Sequence, residues 1–129
     1  MLLIVDDKQV NEAQWDEVKM ALFNLDNVSH TLVTLGIADD EDETPWMTAS
    51  GGNQVGITIE YFNPITGQEA TSLNPDAIGK TVRIKLGDED TEIDDKYIVT
   101  TEAAVIAFHE FYDAQRLSRQ LLWDIQQNS

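Results

Sequence analysis

A chain of 129 residues without a cysteine is enough for one domain with a core of ordinary size, and it excludes disulfides, thiolate nucleophiles and cysteine-based zinc or iron–sulfur sites. Twenty-four acidic residues against eight basic ones leave a net charge of −16. A field of that sign repels nucleic acid and anionic membranes and speeds encounter with basic proteins, although solubility alone accounts for the same total.

Leu2-Leu3-Ile4-Val5 reads as a short strand. Asp6-Asp7 follows at once, so the apolar start lacks the basic flank and the length of a signal peptide. No run approaches the roughly 20 apolar residues that span a bilayer, and a cytoplasmic protein without membrane contact is expected. Asn11 is placed to cap a helix over 11–25, with Gln14 completing a capping-box-like pair and Trp15, Val18, Leu22 and Leu25 recurring on its buried face. Residues 31–35 alternate as a strand that Gly36 ends. Asp39 to Glu43 must then be a solvated loop, since five consecutive acids cannot sit inside a sheet. Pairing resumes at Pro45 to Ala49, and Ser50-Gly51-Gly52-Asn53 reads as a turn. The clearest strand is 55–62, with Val55, Ile57, Ile59 and Tyr61 on one face; Asn63 to Gly67 is the next turn. These segments predict an antiparallel meander over 31–72.

Val82, Ile84 and Leu86 alternate with Arg83 and Lys85 as a further strand, and 87–95 reads as a second acidic loop. Tyr97 to Val99 is a last short strand. Thr100 or Thr101 then caps a helix whose apolar stripe is Ala104, Val105, Phe108, Phe111 and Tyr112. Leu121-Leu122-Trp123 reads as a short docked segment. The order predicts a single α+β domain over 1–129, an antiparallel sheet of about 5–7 strands packed against an N-terminal and a C-terminal helix.

Chemistry finds little support. Asp88-x-Asp90-x-Glu92 opens like a calcium loop, but the positions that need Gly and Glu hold Ile93 and Val99, and no metal is expected. Among the acids only Glu60 and Glu110 are unusually placed, and both read as surface residues. His30 and His109 read as structural. Ser50-Gly51-Gly52 lacks the lysine of a phosphate loop. No catalytic residue and no cofactor are expected.

The acidic segments remain. Eleven acids fall in two stretches, 39–43 and 88–95, and Trp46 adjoins the first. An aromatic centre inside a negative rim suits a basic groove on a partner protein. Asp39, Asp40, Glu41, Asp42, Glu43, Asp88, Glu89, Asp90 and Glu92 would form that rim, and Trp46 with Tyr61 the anchor. Whether Trp46 is exposed or part of the core is open at this point.

The chain resembles the Imm1 family of bacterial immunity proteins. The likeness rests on a helix leading to the Thr31–Leu35 strand, a strand–Gly-Gly–strand unit from Trp46 to Tyr61, the late-helix spacing Ala104-x-x-x-Phe108-x-x-Phe111, and an Arg116…Leu122-Trp123 ending. In relatives that ending often carries Arg-Pro before the Trp, whereas here Arg116-Leu117 and a longer insertion stand. The resemblance implies a cytoplasmic antitoxin that binds a cognate secreted toxin domain, a nucleic-acid deaminase or nuclease, and blocks its basic active-site groove; a monomer is expected. It also implies that Arg116 and Trp123 serve the fold, as a docked aromatic and its polar anchor. Two rivals stand beside it: a general nucleic-acid mimic that inhibits a DNA-binding enzyme, and a small enzyme using surface carboxylates.

Overall fold

The computed structural model describes residues 1–37, 44–52, 55–86 and 88–127. The expected acidic loop Asp39, Asp40, Glu41, Asp42 and Glu43 lies outside the described residues. In chain order the elements are β1 (Leu2–Val5), β2 (Lys8–Val10), α1 (Trp15–Phe23), β3 (Leu32–Gly36), β4 (Trp46–Gly52), β5 (Gly56–Asn63), β6 (Gln68–Leu73), β7 (Thr81–Leu86), β8 (Glu89–Asp94), a 3₁₀ turn (Asp95–Tyr97), α2 (Thr101–Ala114) and β9 (Leu122–Gln127). Seven strands form an antiparallel sheet in the order β2-β1-β3-β4-β5-β6-β9, and β7 and β8 form a separate hairpin.

The α+β class and the β3-to-β6 meander match the sequence reading. Alternation along the strands produces the layers. Leu3, Leu35, Met47, Tyr61 and Ala70 share one row of the inner face, and Val33, Ala49 and Ile59 the next. Both helices cover that face, Val18 and Leu22 from α1 meeting Phe108 and Phe111 from α2 in one hydrophobic cluster. Tyr112 ties α2 to the segment before α1 by donating its hydroxyl to the Ala13 carbonyl at 2.8 Å.

Several boundaries differ from the sequence reading, each for a local reason. Helix α1 begins one turn late, with Gln14 rather than Asn11 at its cap and the Gln14 N–H donating to the Glu17 carboxylate at 3.0 Å. Residues 8–13 are instead spent on β2 and on a turn that returns Ala13 N–H to the Met1 carbonyl at 2.9 Å. Ser50-Gly51-Gly52 is not a turn but the paired end of β4. Within the expected 87–95 loop, residues 89–94 form a strand instead: Glu89, Asp90 and Glu92 lie on β8, whose Thr91 and Ile93 turn inward. Asp90 and Glu92 stand directly opposite Lys85 and Arg83, an arrangement of opposite charges that favours pairing. Residues 95–97 form the 3₁₀ turn rather than a strand, and only Val99 bridges the sheet, through Ile57. Finally, α2 is not the last element. The 121–123 segment opens β9, an edge strand of six residues on β6, with Trp123 donating its indole N–H to the Ser118 carbonyl at 2.9 Å. Arg116 does not anchor that ring; its guanidinium pairs with Glu110.

Three glycines let the second layer form. A Cβ on Gly51 would lie 2.2 Å from the Gly56 carbonyl oxygen and 2.8 Å from Ile84, one on Gly52 2.6 Å from the Asp26 backbone, and one on Gly56 (φ +94°) 2.3 Å from Ile98. The loop after α1, the β7–β8 hairpin and the approach to α2 all converge there. Asn27, in the left-handed region at φ 62°, accepts the Lys85 N–H at 2.7 Å and fixes the hairpin to the loop. Gly52→Ala must displace backbone and is expected to cost about 1–3 kcal/mol. Gly79→Ala, at φ +83° with open space around it, is expected to cost about 1–2 kcal/mol from backbone strain alone. Urea denaturation of both variants measures these losses.

Backbone N–H groups absorb several of the acids. Asp26 accepts from the N–H groups of His30, Val28 and Ser29 and from the Ser29 hydroxyl, which holds its carboxyl well below the usual range. Partial burial pushes Asp6 upward, but the Thr31 N–H, His30 and the Leu32 N–H outweigh it and the net shift is downward. Asp95 is lowered by the Ile78 N–H first, burial opposing, and by the Gly79 N–H. A depressed carboxyl stabilises the fold above its unfolded value near 3.9, and this is lost as pH falls through the lower folded value. Asp26→Asn is therefore expected to be less stable than the parent at pH 7, with the gap narrowing toward pH 2. Chemical denaturation across that range measures the gap.

Candidate functional site

The face of the sheet turned away from the helices carries the residues that strand alternation excludes from the core. Pairing sets them in rows. One runs Gly36, Trp46, Phe62, Glu69, Gln126; its neighbour runs Ile4, Thr34, Thr48, Glu60, Thr71, Asp124; a third holds Leu32, Ser50 and Thr58. The hairpin lies over the third row, where Ile84 is fully buried against Gly51. It leaves the Trp46 end open.

Two clefts meet at that open end. One, of about 300 Å³, is lined by Trp46, Glu60, Phe62, Glu69 and Thr71 among others. The second, of about 240 Å³, lies between Leu86 of the hairpin and Leu32, Trp46, Thr48, Thr58 and Glu60. Trp46 and Glu60 belong to both. Trp46 is half-buried and packs on Phe62 with ring centroids 5.7 Å apart at 53°. Neither ring belongs to the hydrophobic cluster under the helices, which resolves the position of Trp46: it is a surface aromatic held by a neighbouring ring. Gly36, its register partner on β3, offers no side chain to that flank.

Tyr61 is corrected from anchor to core. It faces inward, 6% exposed, with its ring edge-on to Phe111 at 6.1 Å. Strand parity decides this, because Tyr61 and Trp46 lie in opposite-facing positions of paired strands. The exposed Asp88 lines a different cleft, with Asp6, Asp7 and Lys85. Glu89, Asp90 and Glu92 are exposed on the hairpin, with Glu92 in an ion pair with Arg83 at 3.3 Å. The structure thus unites Trp46 with Phe62, Glu60 and Glu69 rather than with the second acidic run. Sequence reasoning passed over Phe62 and Glu69 and set Glu60 aside. The available signal was parity: counting from inward Tyr61 puts Glu60 and Phe62 on one outer face.

Glu60 is the electrostatic outlier. Glu60 is exposed, as a surface residue should be, yet its carboxyl is raised above the ordinary glutamate value, first by the neighbouring cleft walls, which take part of its hydration, and then by the charge of Glu69. Among the described residues neither Glu60 nor Glu69 has a hydrogen-bond or ion-pair partner. Strands β3, β4, β5, β6 and β9 contain no Lys, Arg or His at all. No group of three His, Asp or Glu among the described residues converges as metal ligands would, and no helix there is long and apolar enough to cross a membrane. His30 contacts Asp6, and His109 stacks on Trp15 at 4.4 Å, both on the surface. No protein family's sequence profile matches the chain, and no characterised protein matches it.

A raised carboxyl destabilises the fold where it is ionised, above its folded value, and has no effect below its unfolded value near 4.3. Glu60→Gln is expected to raise the urea midpoint at pH 7 and to leave it unchanged at pH 3.5.

Proposed function

We propose that this chain is an immunity protein of the Imm1 kind, which binds a cognate secreted toxin domain and occludes its basic, nucleic-acid-binding groove by shape and charge. The observation that carries this reading is the open end of the outer sheet face, where a surface aromatic pair adjoins unpartnered carboxylates on strands that hold no basic residue. Aromatic anchors in a charged rim are what a tight protein interface uses. The net charge of −16 adds long-range steering toward a basic partner. The acidic run Asp39–Glu43 ends three residues before Trp46 in the chain, so its charge enters the same sequence neighbourhood. The protein acts by binding, without catalysis or a cofactor, in the cytoplasm and as a monomer.

One observation favours a second reading. Asp90, Glu92 and Asp94 form an exposed row on β8, as a general nucleic-acid mimic would need. Lys85 and Arg83 stand opposite two of them and dilute the row, which favours the first reading. A mimic binds unrelated basic proteins alike, whereas an immunity protein discriminates between close toxin relatives.

Co-expression with the product of the adjacent gene is the test. Protection from a toxic neighbour is expected; a harmless neighbour, or toxicity left unrelieved, removes the proposal. In the purified complex, Trp46→Ala is expected to speed dissociation about tenfold or more. Neutralising the five acids of 39–43 should slow association, most at low salt. Surface plasmon resonance separates the two rates.

A further inference from the structure

We infer that the open cleft of the outer face receives an arginine side chain of the partner protein, its guanidinium between Glu60 and Glu69 and against the rings of Trp46 and Phe62. The inference rests on the proposed function and names the chemistry of its central contact.

Charge complementarity selects the occupant. Most other acids with a defined environment in this fold already have one that satisfies them. Asp6, Asp26 and Asp95 are held by backbone N–H groups. Asp90 and Glu92 face Lys85 and Arg83, Asp113 meets His109, Glu110 meets Arg116, and Asp124 accepts the Tyr97 hydroxyl. Among the described residues, Glu60 and Glu69 differ from other carboxylates without a partner, such as Glu12, Asp16 and Asp76, in lining one cleft beside an aromatic pair. Glu60 pairs in register with Thr71 and Phe62 with Glu69, so the two carboxylates are diagonal neighbours on one face. Side chains so placed are roughly 7–8 Å apart at their roots, within reach of each other and of one group set between them. Like charges at that spacing repel, and this repulsion adds to the loss of hydration that chiefly raises the Glu60 carboxyl.

The cleft walls choose among cations. A guanidinium is planar, offers donors on more than one edge and sheds water more readily than an ammonium, so it can serve two carboxylates while lying on an aromatic face. Trp46 and Phe62 supply that face beside the acids. A lysine ammonium would satisfy the charge, but it is more strongly hydrated and has no flat face to lay on the rings. The cleft of about 300 Å³ has room for a side chain rather than for a folded segment.

The experiment uses the whole chain and two probes that each carry one positive charge, N-acetyl-arginine methylamide and N-acetyl-lysine methylamide. Both are titrated at fixed ionic strength and followed by heteronuclear NMR. The arginine probe is expected to shift signals of Trp46, Phe62, Glu60 and Glu69 and to bind more tightly than the lysine probe. Glu60→Gln with Glu69→Gln should weaken it about tenfold. Asp90→Asn with Glu92→Gln, which removes the same charge from the hairpin, should not. Equal binding of the two probes, equal loss in both double variants, or shifts spread over the acidic surface would each overturn the inference. Circular dichroism confirms that the variants fold. If the probe misses the cleft while co-expression still protects against the neighbouring toxin, the arginine contact fails and the immunity reading stands. Probe binding without protection keeps the cleft as an arginine site and removes the immunity reading.

Discussion

Everything on the outer side of the sheet depends on three residues having no side chain. Gly51, Gly52 and Gly56 close the β4–β5 ladder at the point where the loop after α1, the β7–β8 hairpin and the segment entering α2 all come to rest. Protein interiors are packed too densely to absorb a methyl group where backbone, or for Gly56 the Ile98 side chain, already sits within 3 Å. With Cβ atoms there, Ile84 could not settle on the sheet, and the hairpin that walls the cleft at Leu86 would have no seat. The outer cleft is therefore shaped by a packing constraint at the other end of the same strands.

The second organising theme is how so acidic a chain stays folded. Several carboxylates are turned into structural parts, each gathering two or three N–H groups that a loop would otherwise leave to water. Others face Lys85 and Arg83 across the hairpin. Glu60 and Glu69 are diagonal like charges on one face, and their repulsion adds to the loss of hydration that raises the Glu60 carboxyl.

The sequence was most legible where a single period dominated. Ile57, Ile59 and Tyr61 marked β5 and its buried side, and the stripe through Phe108 and Phe111 marked α2 with its Thr100 cap. It misled where composition and pattern disagreed. In 88–95 the charge masked the alternation of Thr91 and Ile93, because cross-strand partners in Arg83 and Lys85 are invisible from local composition. Ser50-Gly51-Gly52 carried a turn signature but serves close approach instead. β9 gave little warning, since an edge strand with Asp124 and Gln126 on its outer side shows only half a pattern. For the site, Trp46 was found by its neighbours in sequence. Phe62 and Glu69 were missed because what joins them is register, which no local window contains.

The late return of the chain in β9 also bears on how the molecule is assembled. β9 must find β6 across about fifty intervening residues that include the hairpin and α2, so its pairing carries the larger loop-closure entropy and belongs late in folding. Trp46, Glu60, Phe62 and Glu69 lie on three strands that follow one another in sequence and pair as neighbours. The outer cleft thus rests on short-range contacts, and its order of formation is decoupled from the strand that seals the sheet.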